Sequence, residues 1–327
     1  MAVLPRIAGG IDPLVRLLAL AIVLASLLPV GAAHRPIAEA VSNGAIFVLF
    51  LLNGLRLPRA EVLRGMRHMR FLLPLSLWCF GAMSLAGWGL AKAGAALALP
   101  ETVALGLLFL GALPSTVQSA TAYSSLAGGN VAVSVVAAAF INILGVFLSA
   151  PLFSLLAGSE AAAFDLGALE RIALILLLPF VIGQLAQGRA GHLVRDHKRL
   201  ATWMDRTAIA IAVYVAFSGA VEQGLWQLVG PSDWAVLLLL VGVFLLVGFG
   251  GAWLLGGALA LAREDRIAFL FAGAQKSIAL GAPLASVLYP PAIAGLLLLP
   301  VLTYHLLQLV ISAPLASRLN RPAALPR

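Results

Sequence analysis

Phe269-Leu-Phe-Ala-Gly-Ala-Gln-Lys-Ser-Ile-Ala-Leu-Gly-Ala-Pro-Leu284 is apolar enough to cross a membrane, yet Lys276 sits in the middle of it. A bare ammonium there costs roughly 2.5–3.5 kcal/mol on insertion scales. Such a charge persists where a cavity, a partner or a substrate uses it. Gly and Pro flank Lys276, so the helix carrying it is expected to break beside it. A broken helix with polar groups inside the membrane is how secondary transporters usually build a binding site.

The rest of the chain fits that reading. Of 327 residues, 62% are hydrophobic and 10% charged, against about 25% charged in a soluble domain. Mean hydropathy is +1.04. The sequence is therefore that of an all-α polytopic membrane protein, with no stretch left for a separate soluble domain. The net charge of +8 does not imply nucleic acid. Its basic residues lie between apolar runs, where they set orientation and meet lipid headgroups. A single cysteine, Cys79, excludes an intrachain disulfide and a cysteine-based metal site. The run 14–30 mimics a cleavable signal peptide, but its removal would leave an odd number of spans, so it is read as the first span.

At about 20 apolar residues per crossing, ten spans emerge, at 14–31, 37–55, 70–92, 101–126, 130–156, 169–187, 206–224, 234–261, 266–288 and 292–316. With ten spans, one side collects Arg56, Arg59, Arg64, Arg67, Arg70, Arg189, Arg195, Lys198, Arg199, Arg206, Arg263, Arg266, Arg318, Arg321 and Arg327. The other side holds Arg35, Lys92 and Arg171 among the acids Glu101, Glu160, Asp165, Glu170, Glu222 and Asp233. The positive-inside rule then places both termini in the cytoplasm and the chain in the cytoplasmic membrane.

The two halves echo each other. Asn142 is followed seven residues on by Ser149-Ala-Pro-Leu152, and His305 seven residues on by Ser312-Ala-Pro-Leu315. Residues 1–156 are read as a first five-helix repeat and 157–327 as a second. Five is odd, so the second copy is inverted, with a site where the repeats meet.

The polar run Pro114-Ser-Thr-Val-Gln-Ser-Ala-Thr-Ala-Tyr-Ser-Ser-Leu-Ala-Gly-Gly-Asn130 holds nine hydroxyl or carboxamide residues. Pro114 disfavours helix at Leu113, and backbone groups freed inside lipid must line a cavity or find partners. Uncharged oxygens suit a hard cation, and broken-helix N-termini suit an anionic group. Candidate binding residues are Gln118, Ser119, Thr121, Asn130, Ser134, Gln275, Lys276 and Ser277. Asn53, Ser218, Asn142 and His305 are candidates to face the cavity, and all four equally suit helix packing. The chain contains neither a phosphate-binding Gly-rich loop with Lys-Ser/Thr nor His-Glu-x-x-His, the machinery of ATP-driven pumping and metalloproteolysis.

At Leu113–Ser134 and Gly273–Leu284 the chain resembles the bile acid:sodium symporter superfamily, in its SBF-like branch. The resemblance implies a panel of spans 1, 2, 6 and 7, and a core of spans 3–5 and 8–10. Broken spans four and nine would cross at the centre of that core. It implies carriage of organic anions, often with sodium, by alternating access. It also implies a sodium site near Gln118, Ser119, Ser134 and Gln275. Three departures bear on that site: Phe271 stands where sodium-coupled relatives have a glutamate, Lys276 where they have an asparagine, and Ala138 where they have a threonine. At about 4 Å and an effective dielectric of about 20, two like unit charges repel by about 4 kcal/mol. Lys276 is therefore expected to stand in for a bound sodium, with coupling to protons through Lys276 or none.

The expected function is secondary transport of a small organic anion with membrane lipid as its surroundings, no enzymatic activity and no cofactor beyond a coupling sodium or proton. Alternatives are a sodium- or proton-coupled cation exchanger, disfavoured because no acidic residue is evident inside a span, and a membrane regulatory or ligand-sensing protein without transport.

Overall fold

The computed structural model describes residues 12–56, 68–158 and 170–320, and every regular element among them is helical. In chain order these are α1 (Pro13–Leu27), α2 (Arg35–Arg56), α3 (Met69–Ala96), α4 (Glu101–Ala112), α5 (Gln118–Leu126) and α6 (Val131–Ala157). Then follow α7 (Glu170–Asp196), α8 (Lys198–Glu222), α9 (Pro231–Ala258), α10 (Arg263–Ala274), α11 (Ile278–Leu288) and α12 (Pro291–Leu319). Among the described residues, eight helical segments are long and apolar enough to cross a membrane: α2, α3, α6, α7, α8, α9, the α10–α11 pair and α12. The protein is a multi-pass membrane protein. Of the residues used to argue orientation, Arg59, Arg64, Arg67, Glu160, Asp165, Arg321 and Arg327 lie outside the described residues.

Two stretches interrupt the helices. Leu113 has φ −73° and ψ 148°, the extended backbone that a following proline imposes. Helix resumes only at Gln118. Gln275 is extended as well, at φ −80° and ψ 146°, and Ser277 restarts the chain as α11 by accepting the N–H of Leu280. The interruptions touch: the Ser277 N–H donates to the Pro114 carbonyl at 2.9 Å.

The helices fall into neighbourhoods that frame this contact. α8 packs against α1, α2, α11 and α12, and α2 packs along α7. α4 lies between α3 and α12. Glycine permits close approaches among them. A Cβ on Gly87 of α3 would sit 2.7 Å from the Leu107 carbonyl, and one on Gly111 of α4 would sit 2.7 Å from the Met83 carbonyl. Neither position can carry a side chain without moving backbone, which is how small residues let membrane helices meet. Part of α3, Leu77–Ala82, is wound as a π-helix, a form that recurs at functional sites.

One sequence expectation is corrected here. α8 begins at Lys198, not at 206, so Asp205 lies inside a helix long and apolar enough to cross. The basic residues Lys198, Arg199 and Arg206 made this stretch read as a linker. Asp205 therefore lies on a helix and not in a linker.

Candidate functional site

Lys276 is only 1% exposed. Its ammonium donates to three carbonyls: Leu113 at 2.7 Å, Gly111 at 2.8 Å and Cys79 at 3.2 Å. Two of these belong to the end of α4 and the third to the π-turn of α3. A helix end exposes carbonyls without intrahelical partners and the negative pole of the helix dipole. Two of the ammonium's three donors serve that end and the third serves α3. The sequence expectation placed Lys276 beside Gln118, Ser119 or Ser134; its hydrogen-bond partners are instead these main-chain oxygens.

The backbone of the second interruption is held by a residue that sequence reasoning missed. The carboxamide of Gln308 on α12 accepts the Lys276 N–H at 2.8 Å and donates to the Lys276 carbonyl at 3.1 Å. The same nitrogen lies 2.9 Å from Nδ1 of His305. An amide nitrogen carries only donors, so Nδ1 accepts and the ring proton of the neutral imidazole is on Nε2. The only sequence signal was the spacing of His305 and Gln308, three apart on one helix face. Gln275 faces the other way. Its Oε1 accepts from Thr116 Oγ1 at 2.6 Å and from Ser119 Oγ, while its Nε2 donates to Ser312 Oγ at 3.2 Å.

Beside these contacts lies a cavity of about 390 Å³. Its walls include the first turns of α5 (Gln118, Ser119) and α11 (Ile278, Ala279), with Thr116, Ser277, Asn142 and His305 beside them. Ala120 N–H is taken by Thr116 Oγ1 and Leu280 N–H by Ser277 Oγ, each at 3.3 Å. The N–H groups of Gln118, Ser119, Ile278 and Ala279 have no protein acceptor among the described residues. Two helix N-termini thus present donors and positive dipole ends to one space. Leu49, Phe50, Val146, Phe180 and Ile209 supply apolar wall, and Asn53, Arg56, Asp12, Asp205 and Arg206 also line it. A second cavity, of about 230 Å³, lies toward the opposite ends of α2 and α8, lined by Glu39, Asn43 and Arg171 among others.

Of the predicted residues, then, Gln118, Ser119, Ser277, Asn53, Asn142 and His305 share the larger cavity. Gln275 and Lys276 lie behind its wall. Asn142 donates to the Ser115 and Ala138 carbonyls, at 2.7 and 2.9 Å, and so steadies the first interruption. Asn130 is placed elsewhere: its Oδ1 caps α6 through Val133 N–H and its Nδ2 donates to Asp265 Oδ1 at 2.8 Å. Thr121, Ser134 and Ser218 do not line this cavity, and their hydroxyls have no partner among the described residues. Of the four residues grouped for sodium, the structure joins Ser119 to Gln275 by a hydrogen bond, while Ser134 bonds to none of the others. Phe271 stacks against Tyr123, ring centroids 5.9 Å apart. Thr116, Gln308, Arg56, Asp205 and Arg206 were absent from the expected set.

Comparison with known proteins covers almost the whole chain. Residues 12–321 match the SBF-like CPA transporter family. "Uncharacterized protein PA2026" of Pseudomonas aeruginosa is 38% identical over 304 residues, covering 92% of this chain and 90% of that one. "Putative symporter YfeH" of Escherichia coli K12 is 35% identical over 311 residues, covering 95% and 93%. "Sodium/bile acid cotransporter 7" of Mus musculus is 24% identical over 283 residues, covering 84% and 82%.

Proposed function

The chain belongs to the SBF-like CPA transporter family, and from that premise we propose that it is a secondary carrier of a small organic anion in the cytoplasmic membrane. The observation that carries the anion reading is the pair of helix N-termini, α5 and α11, ending at one cavity with donors unfilled. A carboxylate or other oxyanion answers those donors and dipoles. The apolar walls suit the body of such a molecule.

In this reading α4–α5 and α10–α11 are the broken fourth and ninth of ten spans, in two inverted repeats. α1, α2, α7 and α8 form the panel, and the remaining helices form the core that moves against it in alternating access. Both termini are cytoplasmic, and the larger cavity, reached where α2 ends and α8 begins, opens to that side. Lys276 takes the place of a bound cation: its ammonium neutralises the carbonyl end of α4, a task that oxygen-ligated sodium could otherwise perform. Transport then proceeds without a sodium gradient, although relatives bear the name sodium/bile acid cotransporter. The reading assigns the protein no enzymatic step. The cation-exchanger alternative gains Asp205 as an acid within a helix, but that carboxylate is already paired with Arg56.

Cholate, suggested by those relatives' name, serves as the probe in proteoliposomes. The expected result is cholate uptake that is unchanged when sodium is replaced by choline, and loss of uptake in Lys276→Gln. The double variant Lys276→Asn with Phe271→Glu should move uptake toward sodium dependence. A wild-type flux that requires a sodium gradient overturns the stand-in role of Lys276. Cholate bound without any flux favours a ligand-sensing protein.

A further inference from the structure

The cavity also holds a charged group that the anion reading does not use. Asp205 of α8 places Oδ2 2.6 Å from Nη1 of Arg56, at the end of α2. Arginine and a carboxylate usually close as a fork of two parallel bonds. Here the second half is open: Oδ1 of Asp205 and Nη2 of Arg56 are both buried and have no hydrogen-bond partner among the described residues. Arg206, the next residue of α8, reaches Oδ1 of Asp12 only at 3.6 Å, and its Nε is also buried without a partner among the described residues. All four residues line the same cavity. The wall therefore carries two guanidiniums short of acceptors and one carboxylate oxygen short of a donor.

Charge narrows what can settle there. Two arginines against two aspartates sum to zero, so an incoming anion leaves the group one negative charge in excess. An anion that forks onto Arg56 must also displace Asp205, and a displaced carboxylate beside Leu49, Phe50 and Ile209 has lost its counter-ion in a largely apolar wall. One proton restores the balance.

Resting on the anion-carrier reading, we propose that Arg56 and Arg206 form a docking subsite for the substrate's carboxylate, with Asp205 as a built-in competitor that takes up one proton when displaced. The carboxylate of the substrate replaces Oδ2 of Asp205 on Arg56, and a hydronium ion from the cavity water gives its proton to Asp205. Anion binding and proton binding then favour each other reciprocally. Among the described residues, the other ionisable groups lining the cavity with Asp205 are Arg56 from α2, Arg206 on its own helix, Asp12 ahead of α1, and His305 from α12, while α11 brings none.

Titration calorimetry of the purified full-length protein tests this, with cholate below its micelle concentration as probe and buffers of different ionisation enthalpy. Wild type should take up protons on binding cholate and bind it more weakly as pH rises. Asp205→Asn should take up none, lose the pH dependence and bind about tenfold more tightly at neutral pH, because the competing charge is gone. Arg56→Lys keeps the charge but loses the fork and should bind more weakly than wild type. His305→Gln should leave the proton uptake in place. Uptake that survives in Asp205→Asn, or vanishes in His305→Gln, overturns the proposal, as does cholate that binds neither wild type nor Asp205→Asn. Cholate flux with proton-silent binding retains the carrier and removes the subsite; proton-linked binding without flux does the reverse.

Discussion

The two helix interruptions meet through several hydrogen bonds, and what each gives from its main chain differs. The first, around Leu113–Val117, follows from a proline and gives up acceptors: the carbonyls of Gly111, Leu113 and Pro114 all receive bonds from the second. The second, around Gln275–Ser277, supplies the donors, namely the Lys276 ammonium and the Ser277 N–H, and is itself held by Gln308. The difference shows how unwound backbone survives inside a membrane protein. Each interruption satisfies what the other exposes, and the one charge present sits at the negative end of a helix rather than in the cavity. Lys276 therefore behaves as part of the scaffold, and the cavity beside it is left to neutral donors and to the arginine–aspartate group at its other wall.

Removing the ammonium should break this complementarity most. Lys276→Ala removes the ammonium from three buried carbonyls, of which Gly111 keeps only the Ser84 hydroxyl, a loss of about 3–5 kcal/mol by analogy with a buried pair that loses one member. It should appear as a lower unfolding midpoint in detergent. If the space then accepts a cation, sodium should raise the midpoint of Lys276→Ala and leave that of wild type unchanged; no difference between them would separate the lysine from a cation's role.

Gln308→Leu comes next. It deletes the two bonds to Lys276 backbone and the one to His305, about 2–3 kcal/mol at about 1 kcal/mol each. The same variant frees Nδ1 of His305, so nitrogen NMR of the labelled ring should show the Nε2–H tautomer in wild type and a mixture in the variant. On the first interruption, Thr116→Val removes the bond to Gln275 and the tie to Ala120 N–H and should cost about 1–2 kcal/mol. Ser277→Ala removes only the cap of α11, about 1 kcal/mol. A Thr116→Val variant that loses more stability than Lys276→Ala would reverse the ranking of the two interruptions.

Much of this was legible in the residues. Pro114 and the lone lysine in an apolar stretch mark where helices end, because a missing N–H and a buried charge are local facts that no packing can erase. The cavity residues Gln118, Ser119 and Ser277 followed from the same polar runs. Asn130 caps α6 and meets Asp265, a placement that its residue type alone does not give, because a cap and a ligand draw on the same carboxamide. Asp205 was hidden by the basic residues around it, whose charge reads as linker when the helix boundary is unknown.

The sequence by itself determined that the protein is a multi-pass membrane protein and that a charge is retained among its apolar helices. Apolar length and backbone chemistry act within a few residues, so they are readable along the chain. Which atoms receive the lysine, that Gln308 mimics a backbone partner, and that Arg56 and Asp205 face one another were decided by tertiary structure alone. Those contacts join residues 32 to 197 positions apart. Hydrogen bonds need approach within about 3 Å, a distance set by how the helices pack and by nothing local to either residue.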